Sequence, residues 1–440
     1  MAITSTHAEF GQLLRQSRRS RKMSQVELGA GRYTGSYISH LESGRRAPTP
    51  EVIEFLARRL GVSPLEWGIR EHYDKPATLR AESEAQPGAV ENLLVAERAW
   101  YDRDWSSAED HGRRAAASAR AAGDGIRHWE AMYVVAQAQF AKGQFTEAAE
   151  LAEEIAGWEA ARRYAVARAQ SLSLASIANR AGSRIGWAIA LGARAVEAAR
   201  DAAPLILTEA LMSLVSALTE AGHGADEINP YLRRLDELMP QLASPHSRGM
   251  VAWTLGTAAY EMGDSQEGAA RYDQARTLLN PHRDLRLWLR FHSSDADCRL
   301  DIGSTDGVAE LLRVSSTGLE IIGNPFDVVQ LRQSRARLAS LEGDHAQAVS
   351  VIEELLADPV LGNPEYNQGM SEWIYAEALR ALGRSAEARH HYRVAAELFE
   401  NDGRLKAALA AYQRLVSEDD SNLTDSGTKL TNDVDTEVKL

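Results

Sequence analysis

Lys142-Gly143-Gln144-Phe145 is a turn-like element that closes one apolar helical run and opens the next. The same punctuation returns at Ala181-Gly182-Ser183, Ala221-Gly222-His223, Met262-Gly263-Asp264, Ile302-Gly303-Ser304, Glu342-Gly343-Asp344 and Leu382-Gly383-Arg384. Successive glycines fall about 40 residues apart throughout, and a fixed period of this length marks a repeat array. Arg103-Asp104-Trp105 lies one such period before the first and reads as the same turn with its glycine replaced. The chain as far as about Arg414 therefore reads as eight helical units.

Seven residues before each glycine stands a small residue: Ala136, Ala175, Val215, Gly256, Ala296, Ala336 and Ala376, with Ala96 at the matching place in the first unit. A small side chain there lets the two helices of a hairpin approach closely. Together with Leu255-Gly256, Tyr260, Gly263 and Gln144-Phe145-Thr146-Glu147-Ala148-Ala149, this pattern resembles the tetratricopeptide (TPR) repeat. These units run about 40 residues against about 34 for the standard repeat, so longer helices or loops must absorb the difference. The resemblance implies an α-solenoid with a continuous core and an exposed concave face.

In TPR hairpins the first helices line that face. Setting the units in register puts Tyr133, Gln137, Asn179, Trp253, Thr257, Tyr260, Arg290, Asp297, Gln330, Gln333, Arg337, Trp373, Glu377 and Arg380 on or near it. Such a groove suits an extended peptide: amides pair with its backbone, aromatics give pockets and arginines can take a carboxylate. The plainer alternative makes Trp253 and Trp373 inter-helix core and the polar residues a solvated surface.

Ahead of the repeats, Phe10 to Gly68 reads as about five short helices. The first spans Glu9 to about Arg19, with Phe10, Leu13 and Leu14 on one face. Ser24-Gln25-Val26-Glu27 has the spacing of a capping box and opens a second helix that Gly29 and Gly31 stop. A third follows Thr34, carries Tyr37, Ile38 and Leu41 inward and ends at Gly44. Thr49-Pro50 starts a fourth, with Val52, Ile53, Leu56 and Leu60 as its buried stripe. Ser63-Pro64-Leu65-Glu66 is a second capping box and starts a fifth, with Trp67.

Three stretches of this head, Ser24 to Leu28, Tyr37 to Thr49 and Leu60 to Ser63, resemble the Xre/Cro family of helix-turn-helix domains. The link between Leu28 and Ile38 is one residue shorter than the family's usual spacing and holds three glycines. The resemblance implies that the third helix lies in the major groove of double-stranded DNA, with Thr34, Gly35, Ser36, Ser39 and His40 facing outward. It likewise implies a phosphate contact for Gln25, and Arg45 and Arg46 lie where phosphates would pass. Arg18, Arg19, Arg21 and Lys22 are candidates for further backbone contacts, and Glu42 reads as structural.

Charge fits this division. The net charge of −13 is unevenly spread: residues 1–70 carry 11 Lys and Arg against 6 Asp and Glu, and the remainder carries 38 against 56. A basic head on an acidic body is what a nucleic-acid-binding module attached to a non-binding body shows. No apolar run long enough to cross a bilayer and no export signal is read, so a cytoplasmic protein without membrane contact is expected. A single cysteine, Cys298, excludes an internal disulfide and reads as packing. There is no nucleophile elbow, phosphate-cradling loop or metal-ligand spacing, so no enzyme, cofactor or metal is expected. His390-His391 point about 100° apart on a helix and read as a solvated pair.

The expected organisation is all-α: a helix-turn-helix domain over 1–70, a linker over 71–88, repeats over 89–416 and an acidic, disordered tail over 417–440. An Xre-type head on TPR-like repeats resembles the peptide-responsive quorum-sensing regulators called RRNPP. That resemblance implies a homodimer on a two-fold operator, with a short signalling peptide in the repeat groove. A scaffold that docks a protein partner is the alternative.

Overall fold

The computed structural model describes residues 4–30, 32–46, 48, 50–62, 87–363 and 367–416, and among them there are helices and no strands. The expected fifth head helix, most of the 71–88 linker and the 417–440 tail lie outside the described residues.

The head holds α1 (Thr4–Ser20), α2 (Gln25–Gly29), α3 (Gly35–Glu42) and α4 (Pro50–Leu60). Its core gathers Phe10, Leu14, Leu28, Ile38, Leu41, Val52, Ile53, Leu56, Ala57 and Leu60, all buried. α1 begins at Thr4, ahead of the Glu9 start expected from the sequence.

Among the described residues the repeats form eight antiparallel hairpins. The first four are α5 (Pro87–Tyr101) with α6 (Trp105–Ala121), α7 (Gly125–Ala141) with α8 (Phe145–Ala156), α10 (Ala165–Ala181) with α11 (Ile185–Ala198), and α12 (Pro204–Ala221) with α13 (Ala225–Leu238). A short helix, α9 (Glu159–Arg163), follows the second. The last four are α14 (Pro245–Glu261) with α15 (Ser265–Leu278), α16 (Leu285–Asp301) with α17 (Val308–Ile322), α18 (Pro325–Leu341) with α19 (His345–Ala357), and α20 (Gln368–Ala381) with α21 (Ser385–Asp402). A final helix, α22, spans 405–416.

Every hairpin turn uses one device. The residue after the turn donates its N–H to the carbonyl five residues back, as in Gln144 to Gln139 at 3.0 Å and Asp344 to Ala339 at 2.8 Å. This closure needs a left-handed residue just before it. Gly143, Gly222, Gly263, Gly303, Gly343 and Gly383 supply it, and Arg103 takes the same conformation at φ +60°. The third turn differs from the expectation. There Ser183 is left-handed at φ +57° and Gly182 is not. Gly182 is kept for space: a Cβ on it would lie 3.1 Å from the Cβ of Phe145. Aspartates then start several of the following helices, Asp264 accepting from Glu267 N–H and Asp344 from Gln347 N–H, both at 3.0 Å.

The small positions behave as the period predicted. Ala96, Ala136, Ala175, Val215, Ala296, Ala336 and Ala376 are fully buried. At Gly256 a Cβ would sit 2.8 Å from the Tyr272 ring, so the paired helix leaves no room for one. α12 is the one described helix long and apolar enough to span a membrane, contrary to the sequence reading, and most of it is buried in the array's core.

The stack curls until hairpins five apart meet. Arg103 in the first hairpin lies 3.6 Å from Asp284 at the start of the sixth. The rings of Phe145 and Phe326 meet edge-on at 5.6 Å, joining the second hairpin to the seventh. Gly403, after the eighth, packs beside Gly186 of the third, and Arg404 reaches Glu220 of the fourth at 2.5 Å. One superhelical turn therefore takes five hairpins, and the later turn rests on the earlier one.

Candidate DNA-binding face and repeat groove

Local rules position the head's recognition elements. Ser24 Oγ accepts from Glu27 N–H at 3.1 Å while Glu27 accepts from Ser24 N–H at 2.7 Å, completing the expected capping box. Thr34 Oγ1 caps α3 by accepting from Tyr37 N–H at 3.2 Å, so this acceptor serves the helix. A Cβ on Gly35 would lie 2.8 Å from Val26 Cγ2, and one on Gly29 would lie 3.2 Å from Ile38 Cγ1. The short link between α2 and α3 closes because those two side chains are missing. Gly35, expected to face bases, is half-buried and used for this approach.

The buried side of the motif is ionic. Arg18 holds Glu42 through two contacts of 2.5 and 2.9 Å and donates to the Met23 carbonyl at 2.7 Å. Burial pushes the Glu42 carboxyl up, but the Arg18 and Gln25 hydrogen bonds and the Arg18 charge outweigh it, so its pKa is lowered. Glu42 is thus structural, as the sequence indicated, whereas Arg18 is removed from the phosphate set. Gln25 donates to Glu42 at 2.8 Å, which leaves one of its amide hydrogens for a phosphate. Arg21 donates to the Gly61 carbonyl at 3.1 Å.

What remains outward on α3 is a narrow polar ridge. Ser36, His40 and Ser43 are exposed at successive turns and Ser39 is half-buried beside them. Arg45 and Arg46 follow, both exposed, and the Arg46 guanidinium lies 4.6 Å over the Tyr37 ring. That stacking holds a cation at the end of the ridge. The sequence reading missed Val26, which is 68% exposed against Gly35. Its signal was present: it stands two residues before buried Leu28, on the opposite side of α2.

Most of the predicted groove side chains already have partners. Trp253 donates to Ser294 at 3.0 Å and meets Phe291 edge-on, Tyr260 is buried against Tyr272, and Trp373 meets Tyr392 edge-on. All three pack against neighbouring helices, Tyr260 buried and Trp253 and Trp373 half-buried. Tyr133 stacks on Trp129 at 5.3 Å. Asn179 donates to the Ala175 carbonyl, and Gln333 to the Asn367 carbonyl and Ser371. Thr257 bonds the Trp253 carbonyl and the Tyr272 hydroxyl.

Charges inside the curl are matched within helices, between neighbouring hairpins and across the closure. Arg337 pairs with Asp301 and lies 3.7 Å from Asp297, whose carboxyl burial pushes up to about 6. Arg380 and Arg414 both hold Glu377. Arg180 and Arg404 both hold Glu220. Gln137, Gln330 and Arg290 remain, none with a side-chain hydrogen bond among the described residues. Cys298 is buried with its thiol against the Tyr272 hydroxyl, and burial pushes its pKa well up, as packing requires. His391 is not solvated as expected: it bonds Glu372 at 2.6 Å.

The head matches the helix-turn-helix domain family over residues 9–67. With α2 and α3 as its two helices, this helix-turn-helix head carries the ridge described above on its second. Among solved structures the chain is similar to the apo form of NprR, a quorum sensor from Bacillus thuringiensis, at 12% identity and TM-score 0.48, over 91% of this chain and all of that one. It is also similar to a Rap protein complexed with competence and sporulation factor, at 12% identity and TM-score 0.39, over 95% and 98% of the two chains. A third is B. thuringiensis PlcR in complex with the peptide PapR7 and DNA, at 10% identity and TM-score 0.33, over 66% and 99%. No curated protein matches the chain.

Proposed function

We propose that this chain is a DNA-binding transcriptional regulator whose repeats bind a short signalling peptide that modulates operator binding. One observation carries the DNA half: the exposed ridge Ser36–His40–Ser43 of α3, ending in Arg45 and Arg46, in a domain that matches the helix-turn-helix family. A single exposed helix face with cations at its end fits the major groove, with side chains reading base edges and guanidiniums taking phosphates. A helix-turn-helix head reads a half-site, so two copies of the chain on a two-fold operator complete the reading. Such a regulator acts in the cytoplasm and needs neither catalysis nor cofactor.

Gln137 and Gln330, whose amides keep no protein partner among the described residues, support a linear ligand, because free amides can pair with a peptide backbone. Contacts between hairpins one and six, and two and seven, hold the stack at one curvature. A peptide that prefers one curvature shifts the arrangement of the heads by its differential affinity alone.

Selection of bound fragments from genomic DNA, with and without culture supernatant, yields the operator and asks whether a secreted signal matters. On that operator, the double substitution Arg45→Ala with Arg46→Ala is expected to weaken binding and to lower the salt slope by about 2, near 0.9 per phosphate contact. An unchanged slope would remove the DNA assignment's main support.

A further inference from the structure

Arg290 breaks the pattern of matched charges inside the superhelix. Its Nε stands 3.2 Å from Asp327 Oδ1, but the geometry makes no hydrogen bond, and that oxygen has no donor among the described residues. Asp327 is fully buried, and its other oxygen is taken by Arg286 Nε at 2.6 Å and the Asn324 N–H at 3.0 Å. One carboxylate thus faces two guanidiniums. Asp284 adds a second negative charge nearby, but it already caps α16 through Leu287 N–H and lies by Arg103. Arg180 of the third hairpin pushes from across the interior. Burial, with the Arg286 and Arg180 charges, lowers the Arg290 pKa against the pull of Asp327 and Asp284. A guanidinium with five donors therefore stands in a confined, under-neutralised place, about a third exposed, and makes no hydrogen bond among the described residues.

Gln330 stands one repeat further on, at the same position of the next hairpin. α16 and α18 pack on one another, and packed helices lie roughly 8–10 Å apart. Its amide is half-buried and unbonded among the described residues. A free amide on the helix packed against that of an under-neutralised guanidinium is the complement of a chain's last peptide group followed by its terminal carboxylate.

We propose that Arg290 and Gln330 anchor the free C-terminus of the ligand peptide, Arg290 taking the carboxylate end-on through its two Nη groups and Gln330 the preceding peptide group. Bidentate guanidinium–carboxylate pairing fits the geometry, and it completes a charge balance that the chain leaves open. The inference rests on the peptide reading of the groove. It also separates the three arginines named from the sequence, because Arg337 and Arg380 are occupied by the protein's own carboxylates.

The test uses the purified full-length protein and two probes. The first is an equimolar random heptapeptide mixture, supplied once with free C-termini and once amidated, with retained peptides counted by mass spectrometry. At least ten-fold enrichment of the free acids is expected. Arg290→Gln abolishes that preference, Arg290→Lys keeps part of it, and Gln330→Ala lowers retention several-fold. The second probe is acetate or inorganic phosphate alone, expected to raise the melting temperature of the wild type and not that of Arg290→Gln. Anion stabilisation lost in Arg290→Gln, with no peptide retained in either form, keeps the anion site and removes the peptide reading. Retention indifferent to amidation and to Arg290→Gln overturns the anchor and leaves the peptide reading standing. No response to either probe overturns both.

Discussion

The head fills its core with Phe10, Leu14, Leu28, Ile38, Leu41, Leu56 and Leu60, and Ala57 is the one alanine among them. The array's largest core cluster instead runs through Ala136, Ala152, Ala156, Ala169, Ala175, Ala195 and Ala199, with leucines between. Large side chains let a short chain bury enough apolar surface around one centre. Alanines let long helices lie close in a stack, where each hairpin buries surface only against its neighbours. The polar interiors differ too. Among its described residues the head has one buried pair, Arg18 with Glu42, while the array distributes pairs such as Arg180–Glu220 and Arg337–Asp301 from hairpin to hairpin. The head therefore stands or falls as a unit at a few residues. The array should lose its parts in steps unless its closure ties them together.

The largest effect is expected at the head's pair. Glu42→Ala leaves Arg18 buried without a counter-charge, holding only the Met23 carbonyl, and breaking such a pair costs about 3–5 kcal/mol. Against the few kcal/mol that hold a domain of this size, that loss unfolds the head, which near-ultraviolet circular dichroism or limited proteolysis reads directly. The pair also predicts an acid response. Because the folded Glu42 lies below its ordinary value of 4.5, its contribution is full above that pH and fades as pH falls through the lowered value. Glu42→Gln should remove this step from a pH titration of head stability.

A middle-sized effect tests the closure. Arg404→Ala removes a nearly buried guanidinium from Glu220, and charge-assisted bonds contribute about 1.5–3 kcal/mol. Hydrogen exchange should rise in the turns around Gly186 and Gly222, which the Gly403–Lys406 segment covers. If exchange rises only within α21 and α22, the two superhelical layers do not stabilise each other and the comparison with the head sharpens. The smallest effect isolates one turn. Gly343 sits at φ +91° with nothing within 4 Å of where a Cβ would stand, so Gly343→Ala meets only the backbone penalty, about 1–2 kcal/mol. Thermal melting should register this as a local loss that leaves the head's transition in place.

The functional residues divide along the same line. On the head, the helices that carry the ridge could be read from capping and face alone, since Ser24 and Thr34 obey rules spanning a few positions. What could not be read was which of them the fold would consume. Gly35 goes to the contact with Val26, half of Gln25's amide to Glu42, and Arg18 to the core. In the array the register correctly set residues on the first helices, but Trp253, Tyr260 and Trp373 were claimed by packing. The partners of Arg337 and Arg380 lie at positions that the period does not rank.

The sequence alone determined the hairpin count, their turns and their close-approach positions. A left-handed residue closing a helix and a small residue where two helices touch are local requirements, repeated once per hairpin, so each is written at its own site. The third turn, where Ser183 replaces Gly182, shows the limit of that legibility: the reason lies in Phe145, in the preceding hairpin. Only the tertiary structure decided that hairpins five apart would meet, and with that which charges are matched and which is left over. A small rotation at each hairpin sums over the stack into one turn. No single unit encodes that sum, and the incomplete neutralisation of Arg290 follows from it.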